Sequence, residues 1–417
     1  MVGLSPRLLF LVSTFSNTSP FLFFMGFRIN YGGSPIGSVG ALAATLGYDA
    51  ASLARLVKTV GDHYIKFELP KKSGGVRQIC SPKPELKAIQ QRINTRIFGN
   101  CKFPWYLQGS IKDPDRPRDF VSNAREHAKG KHFILSDIES FFPSMRPGNV
   151  KKVFKYLFRF PDDVSDVLVA LTTLDNQVPQ GAPTSSYLAN LIFYDVEHTL
   201  VSDLQKVGCR YTRLIDDISV SSEKLLTTAR QRWVIAKIRA LAFSKQLRLH
   251  PDKTKVIVAK SAGSSVYVTG LWIDKGHPRM APDTRHVIRS QVNLCKELHA
   301  AGHHSTSDYH VLHNKTSGRV ALMSRLGHPQ GNVYREILRP RCPVYSKKAQ
   351  KKLIVVCEMF FSRKGTGSEE LSYARKFYWL MYRLGILGRS QQAIAQTLRS
   401  KLKKYPPVQK LREGQDD

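Results

Sequence analysis

A chain of 417 residues, 42% hydrophobic and 23% charged, has room for two or three packed units and is not a disordered polypeptide. Its 64 Lys and Arg against 32 Asp and Glu leave a formal charge of +32, which favours polyanionic partners, nucleic acid ahead of a membrane surface or a heparin-like chain. Cys80, Cys101, Cys209, Cys295, Cys342 and Cys357 form no CxxC pair and no zinc-ligand spacing, which fits a reducing compartment without a disulfide framework.

Residues 1–39 are hard to assign. RLLFLVSTF (Arg7 to Phe15) and FLFFM (Phe21 to Met25) are apolar but interrupted, and neither reaches the roughly 18 residues that span a bilayer. No small-residue cleavage site follows, Met25 is an alternative beginning, and no membrane partner is expected. SVGALAATLGYDAASLARLVKTV, ending at Val60, sets Leu42, Leu46, Leu53, Leu56 and Val57 around a Gly-Tyr-Asp break, the pattern of a short helical hairpin. YIKFELPKKSGGVRQI (Tyr64 to Ile79) alternates and turns through Ser73-Gly74-Gly75, a β-hairpin. A basic helix is expected from Glu85 to about Phe98, and a short strand at Phe133 to Leu135 delivers Asp137. Tyr187 to about Leu200 predicts a helix with Leu188, Leu191, Ile192 and Val196 on one face.

In RLIDDISVSS (Arg213 to Ser222), Ile218 and Val220 alternate with Ser219 and Ser221, the outgoing strand of a hairpin. Beyond about Asp283 the chain reads as mostly helical. From Arg341 to Arg412 it carries 17 Lys and Arg against 3 Glu, with aromatics between them that suit either base stacking or a helical core. In YARKFYWLMYRLGIL one face can be buried, with Arg375, Lys376 and Arg383 outward.

Asp216 and Asp217 set two like charges side by side in a half-buried strand, which raises the free energy of each carboxylate. The pair alone reads as a tight turn or as part of a cation site. Asp137 lies 79 residues before Asp216, so only the fold can join them. Three joined carboxylates would suit two hard divalent cations. In two-metal phosphoryl transfer these lie about 3.5–4 Å apart, one activating a 3′ or 2′ hydroxyl and one steadying pyrophosphate.

FILSDIESFFPSM, QGAPTSSYLANLIF and RLIDDISVSS resemble, in order and rough spacing, palm motifs A, B and C of reverse transcriptases. YIKFELPKKSGGVRQICSP resembles the fingers motifs of bacterial members. NAREH (Asn123 to His127) is similar to the NAxxH element of retron reverse transcriptases, and VTG (Val268 to Gly270) to their VTG element. The resemblance covers about Tyr64 to Asp274 well and reaches Arg341 more loosely.

It implies an α+β right-hand polymerase fold with N-terminal helices and mixed fingers at 40–136 and an antiparallel palm at 137–282. A helical thumb at 283–344 and a basic helical C-terminal extension at 345–417 complete it. Asp137, Asp216 and Asp217 would be the catalytic metal ligands, with the Ile138 backbone, for two Mg2+ ions, Mn2+ being the alternative. Phe142 would be the aromatic gate beneath the sugar and Phe141 a core residue. Lys71, Lys72 and Arg77 would hold the dNTP triphosphate, unless the Gly-Gly tip is merely solvated. Gln180 and Gly181 would lie against template and primer, Gly because the backbone must approach closely, with Pro183 opening the helix. Lys253 and Lys255 would touch phosphate or act as general acid for pyrophosphate. Asn123, His127, Val268, Thr269 and Gly270 would serve the cognate RNA; without the motif, Asn123 and His127 read as a cap and a surface histidine at i and i+4.

One departure concerns the residues before the aspartate pair, where the family usually has an aromatic and then Ala. Here they are Leu214 and Ile215. Both are apolar, so catalysis should survive while fidelity, rate or nucleotide selection differs.

The implied function is a bacterial, cytoplasmic retron reverse transcriptase. It would bind its structured noncoding RNA and copy part of it into RNA-linked single-stranded DNA within an antiphage system. The effector would be a separate protein, since no nuclease, protease or NTPase motif is readable. One alternative is another bacterial reverse transcriptase, of abortive-infection or maturase type, against which NAREH and VTG argue. The other is an RNA-binding scaffold restraining an effector, against which the three retained carboxylates argue.

Overall fold

The computed structural model describes residues 28–71, 74–259, 265–274, 276–368 and 371–407. Lys72 and the apolar N-terminal runs lie outside them. The chain divides into two compact units, Met1–Gly270 and Leu271–Asp417.

The first helices of the first unit are Val39–Leu46 and Ala50–Lys58. Ser38 caps the first, Gly47 ends it in the left-handed region at φ 66°, and Asp49 caps the second by accepting from the Ser52 N–H. These are the stop and start signals of the Gly-Tyr-Asp break. Leu42, Leu46, Leu53 and Leu56 are buried beneath. In chain order its strands are β1 (Asn30–Tyr31), which precedes both helices, β2 (Tyr64–Pro70), β3 (Val76–Pro82), β4 (Cys101–Lys102), β5 (Leu107–Gln108), β6 (His132–Asp137), β7 (Cys209–Leu214), β8 (Asp217–Ser222), β9 (Lys255–Val258) and β10 (Val266–Val268). β2 and β3 form the expected antiparallel hairpin, and the basic helix runs over Pro84–Arg96.

A five-stranded sheet in the order β5-β7-β8-β6-β9 forms the centre of this unit. It is antiparallel except at one edge, where β5 pairs parallel to β7, a departure from the wholly antiparallel expectation. Both of its faces are covered. Ile218 and Val220 are buried as expected, but so are Ser219, Ser221 and Ser222, because the Phe120–Glu126 helix and its neighbours pack polar groups against that face.

The helix expected over Tyr187–Leu200 is broken. It runs over Ser185–Leu191, turns, and resumes at Glu197–Lys206. The cause is Arg213, whose guanidinium takes the carbonyls of Ala189 and Asn190 that a continuing helix would need, while the Tyr194 N–H falls back on Leu191.

After two antiparallel strands, Leu271–Asp274 and His277–Arg279, the second unit is helical, with two separate cores among its described residues. Helices Pro282–Ala300, Ser307–Arg325 and Pro329–Leu338 enclose Ile288, Val292, Cys295, Tyr309, Val320 and Leu338. Helices Lys347–Phe361, Leu371–Leu387 and Gln392–Lys403 enclose Leu353, Cys357, Phe360, Phe377, Leu384 and Leu398. The aromatics of this basic segment divide: Tyr373 and Phe377 are core, whereas Tyr382 is 60% exposed and Trp379 has Lys376 and Arg383 over its ring at 4.1 and 4.2 Å.

Candidate active site

The register of the central sheet sets Asp137, the last residue of β6, directly opposite Asp217, the first of β8. Asp216 precedes it in the two-residue turn from β7, and the Asp216 carbonyl accepts from the Ile138 N–H at 3.1 Å. The 79-residue gap is thereby closed: the three carboxylates meet at the same end of adjacent strands. β6 is driven into the core by Phe133 and Ile134, and β8 by Ile218 and Val220, so the acids stand where the apolar runs stop. Asp137 and Asp217 line a cleft of about 330 Å³ with Ser136, Leu214, Lys253, Lys255, Tyr267, Thr269 and Gly270.

The electrostatics of the cleft are those of crowded acids. Burial first, and then Asp137, raise the Asp216 carboxyl above its usual range, while Lys253 and Arg77 oppose the rise. Burial, then Asp216 and Asp137, push the Asp217 carboxyl up to about 7, although its side chain opens on solvent at the cleft mouth. Lys253 Nζ donates to Asp137 Oδ2 at 2.7 Å, and that bond holds the ammonium above its ordinary pKa. Among the described residues no group of three His, Cys, Asp or Glu side chains is arranged to hold a metal ion as the protein stands. Oxygen donors that resist joint ionisation are nonetheless short of positive charge, and hard divalent cations fit that set.

The remaining expected residues fall in several places. Phe141 is buried and stacks on Phe193 at 6.1 Å, while its neighbour Phe142 is half-buried. Lys71 and Arg77 are exposed on the β2–β3 hairpin, and Arg77 is close enough to Asp216 to favour its charged form. The Gln180 carbonyl accepts from the Cys80 N–H at 2.8 Å. Gly181 has φ 111°, and a Cβ there would stand 2.8 Å from Ile79 Cγ2. Among the protein's own atoms, the close approach that demands glycine here is to β3. The helix that Pro183 was expected to open begins at Ser185.

Asn123 and His127 require a larger correction. Both are fully buried and neither can touch RNA through its side chain as the protein stands. His127 is hydrogen-bonded through Nδ1 to Ser221 Oγ of β8 and through Nε2 to Thr212 Oγ1 of β7, both at 2.7 Å. Thr212 donates in turn to Asn123 Oδ1 at 2.6 Å. Burial, with Arg210 adding to it, pushes the imidazole pKa down to about 3, so it is neutral. Val268 is likewise buried. Thr269 and Gly270 instead face the aspartates across the cleft, and Thr269 Oγ1 donates to the Phe120 carbonyl at 3.0 Å, at the start of the helix that carries NAREH. The two elements thus meet each other and the β7–β8 hairpin.

Sequence reasoning missed Tyr267, which lines the cleft, and Arg213, which is fully buried beneath it. An arginine in a strand between Tyr211-Thr212 and Leu214-Ile215 was the available signal, since a charge in such a strand needs a partner.

The family described as reverse transcriptase (RNA-dependent DNA polymerase) matches residues 69–289. The chain is 38% identical over 373 residues to the Retron Se72 reverse transcriptase of Salmonella heidelberg, covering 89% of this chain and 97% of that protein. It is 30% identical to the Retron Ec48 reverse transcriptase of Escherichia coli, covering 86% and 89%. Among solved structures, a Candida albicans telomerase in complex with a telomeric RNA fragment matches over 84% of this chain and 68% of that one at 11% identity and a TM-score of 0.37, too distant to carry an argument. The chain belongs to the retron reverse transcriptases and is an RNA-directed DNA polymerase.

Proposed function

We propose that this enzyme copies part of a cognate structured noncoding RNA into RNA-linked single-stranded DNA by two-metal nucleotidyl transfer. The observation that carries the reading is the convergence of Asp137, Asp216 and Asp217 at one end of β6 and β8, with Asp217 pushed to about 7. The central sheet acts as palm, the β2–β3 hairpin as part of the fingers, the first three long helices of the second unit as thumb, and the last three as a basic extension that grips RNA.

Asp137, Asp216 and Asp217 would hold two Mg2+ ions, or Mn2+ in their place, with the Ile138 backbone beside them. When bound, these supply activation of the attacking hydroxyl and stabilisation of the leaving pyrophosphate. Lys253 holds Asp137 in place and brings a cation to the phosphate side of the cleft. Arg77 and Lys71 carry exposed charge suited to the incoming dNTP triphosphate. Phe142, beside the fixed ring of Phe141, stands as the gate beneath the sugar. Asn123 and His127 act by fixing the catalytic hairpin, and Thr269 and Gly270 by forming the opposite wall.

Within a bacterial cytoplasm, the RNA-linked DNA and the enzyme would act with a separate effector protein in antiphage defence. The test is to purify the protein expressed with its neighbouring genomic sequence, beside an Asp216→Ala/Asp217→Ala variant, and to digest the copurified nucleic acid with RNase and DNase. A discrete DNA joined to RNA in wild type and missing from the variant is expected. RNA alone in both would replace the reading with an RNA-binding scaffold.

A further inference from the structure

Arg213 is fully buried and is among the largest side chains so enclosed. All five of its N–H donors are engaged. Nε and Nη2 take the two carboxylate oxygens of Glu197 at 2.6 and 2.8 Å. Nη2 also reaches the Asn190 carbonyl at 3.2 Å, and Nη1 reaches the carbonyls of Ala189 and Ile215, each at 2.9 Å. Glu197 is itself buried and accepts from the Tyr211 hydroxyl at 2.7 Å. The guanidinium lies over Phe193, the ring that stacks on Phe141.

What these bonds hold is unusual backbone. Ile215 is the first central residue of the two-residue turn between β7 and β8, and its φ is 58°. A positive φ at that position is the signature of a type II′ turn, where glycine is the ordinary occupant. For a β-branched residue it is a strained outlier that persists only where the surroundings over-determine it. The surroundings here are the Arg213 bond to the Ile215 carbonyl, the Ile138 N–H on Asp216, and the Leu214–Asp217 pairing. Leu214 is confined as well, because Gly109 leaves it space that a Cβ would fill at 2.7 Å, and the Gly109 carbonyl is held by Asn190 Nδ2 at 3.0 Å.

A buried ion pair is weak ground for stability alone, since desolvation offsets much of the attraction. The three carbonyl contacts are what distinguish this one. They run from the C-terminal end of the Ser185–Leu191 helix, just after QGAPTSS, to the turn that presents two catalytic carboxylates. We propose that Arg213, oriented by Glu197, is a positioning residue for polymerisation that locks the Ile215–Asp216 turn onto that helix end. The proposal rests on the polymerase reading above. A lysine at this position keeps a charge against Glu197 but lacks the planar fork that serves a carboxylate and three carbonyls together.

The test uses the full-length protein, wild type, Arg213→Lys and Glu197→Gln, in single-turnover incorporation of one dNTP onto a DNA primer annealed to an RNA template. Folded fraction is set by thermal denaturation. In folded Arg213→Lys the maximal rate falls about 100-fold, and in Glu197→Gln about 10-fold, as small misplacement of reacting groups predicts. Primer–template affinity and the dNTP concentration at half-maximal rate stay within about threefold, while the Mg2+ concentration at half-maximal rate rises, since the bound groups are untouched and only the aspartates have moved. Wild-type rates in both folded variants, or losses that merely track the folded fraction, would overturn the proposal. So would failure of both variants to fold, which would make the pair a stability element. If wild type itself incorporates nothing, the polymerase reading fails instead, independently of residue 213.

Discussion

Two charge arrangements meet on the β7–β8 hairpin, one through Arg213 and one through Asp216 and Asp217, and they are built in opposite ways. At Arg213 and Glu197 every donor of the cation has an acceptor, and the pair is sealed from solvent. At Asp137, Asp216 and Asp217 three acids face one nearby ammonium across an open cleft, and two of them resist ionisation. The first satisfies its charges and gains a fixed geometry; the second leaves charge uncompensated where a cationic ligand can compensate it. Rigidity and reactivity are thus separated by a single turn, and the strained Ile215 is the joint between them.

The sharpest way to break the comparison is to neutralise the crowded side. Asp217→Asn should reduce polymerisation by about 10³-fold or more. In metal-free buffer at pH 7.5 it should nonetheless melt at or above the wild-type temperature, because repulsion is relieved. A lower melting temperature would show that the acids are not in conflict.

Removing the acid on the satisfied side should do the reverse. Glu197→Leu strands a buried guanidinium and should cost about 3–5 kcal/mol of stability, read from urea denaturation. A loss below about 1 kcal/mol would mean that Arg213 finds other partners.

Two titrations sharpen the contrast with opposite signs. Asp217 has a folded pKa near 7, above its unfolded value of 3.8, so the native state holds the extra proton and metal-free stability should fall as pH rises from about 4 to 7. His127 has a folded pKa near 3, below its unfolded value of 6.5, so its contribution is fully present above 6.5 and is lost as pH falls towards 3. Melting curves of Asp217→Asn and His127→Gln against wild type, at pH 4 to 8 in EDTA, should each remove one slope. Saturating Mg2+ should also remove the Asp217 slope. Parallel curves for all three proteins would refute both assignments.

The smallest expected effect is at the far wall of the cleft. Thr269→Val loses the solvent-facing bond to the Phe120 carbonyl and should cost about 0.5 kcal/mol, measured by denaturant midpoint. A loss several times larger would place the VTG turn among the structural supports of the cleft.

Much of this protein was readable in its linear pattern because the signals were local. Leucine spacing with Gly47 and Asp49 predicted the first two helices, alternation and the Gly-Gly turn predicted the β2–β3 hairpin, and apolar runs ending in aspartate predicted β6 and its acid. Motif order across some 200 residues named the family. What tertiary structure alone decided were the interactions between distant segments. A side chain at 213 breaks a helix at 191; a strand at 79 and 80 dictates a glycine at 181; and Asn123 and His127 are buried against the sheet rather than set on the surface. Periodicity reports which face of an element is apolar, but not which polar group another segment will bring to satisfy a buried donor. That is settled only when the strands are in register, and for Asp137 and Asp217 the register is what creates the site.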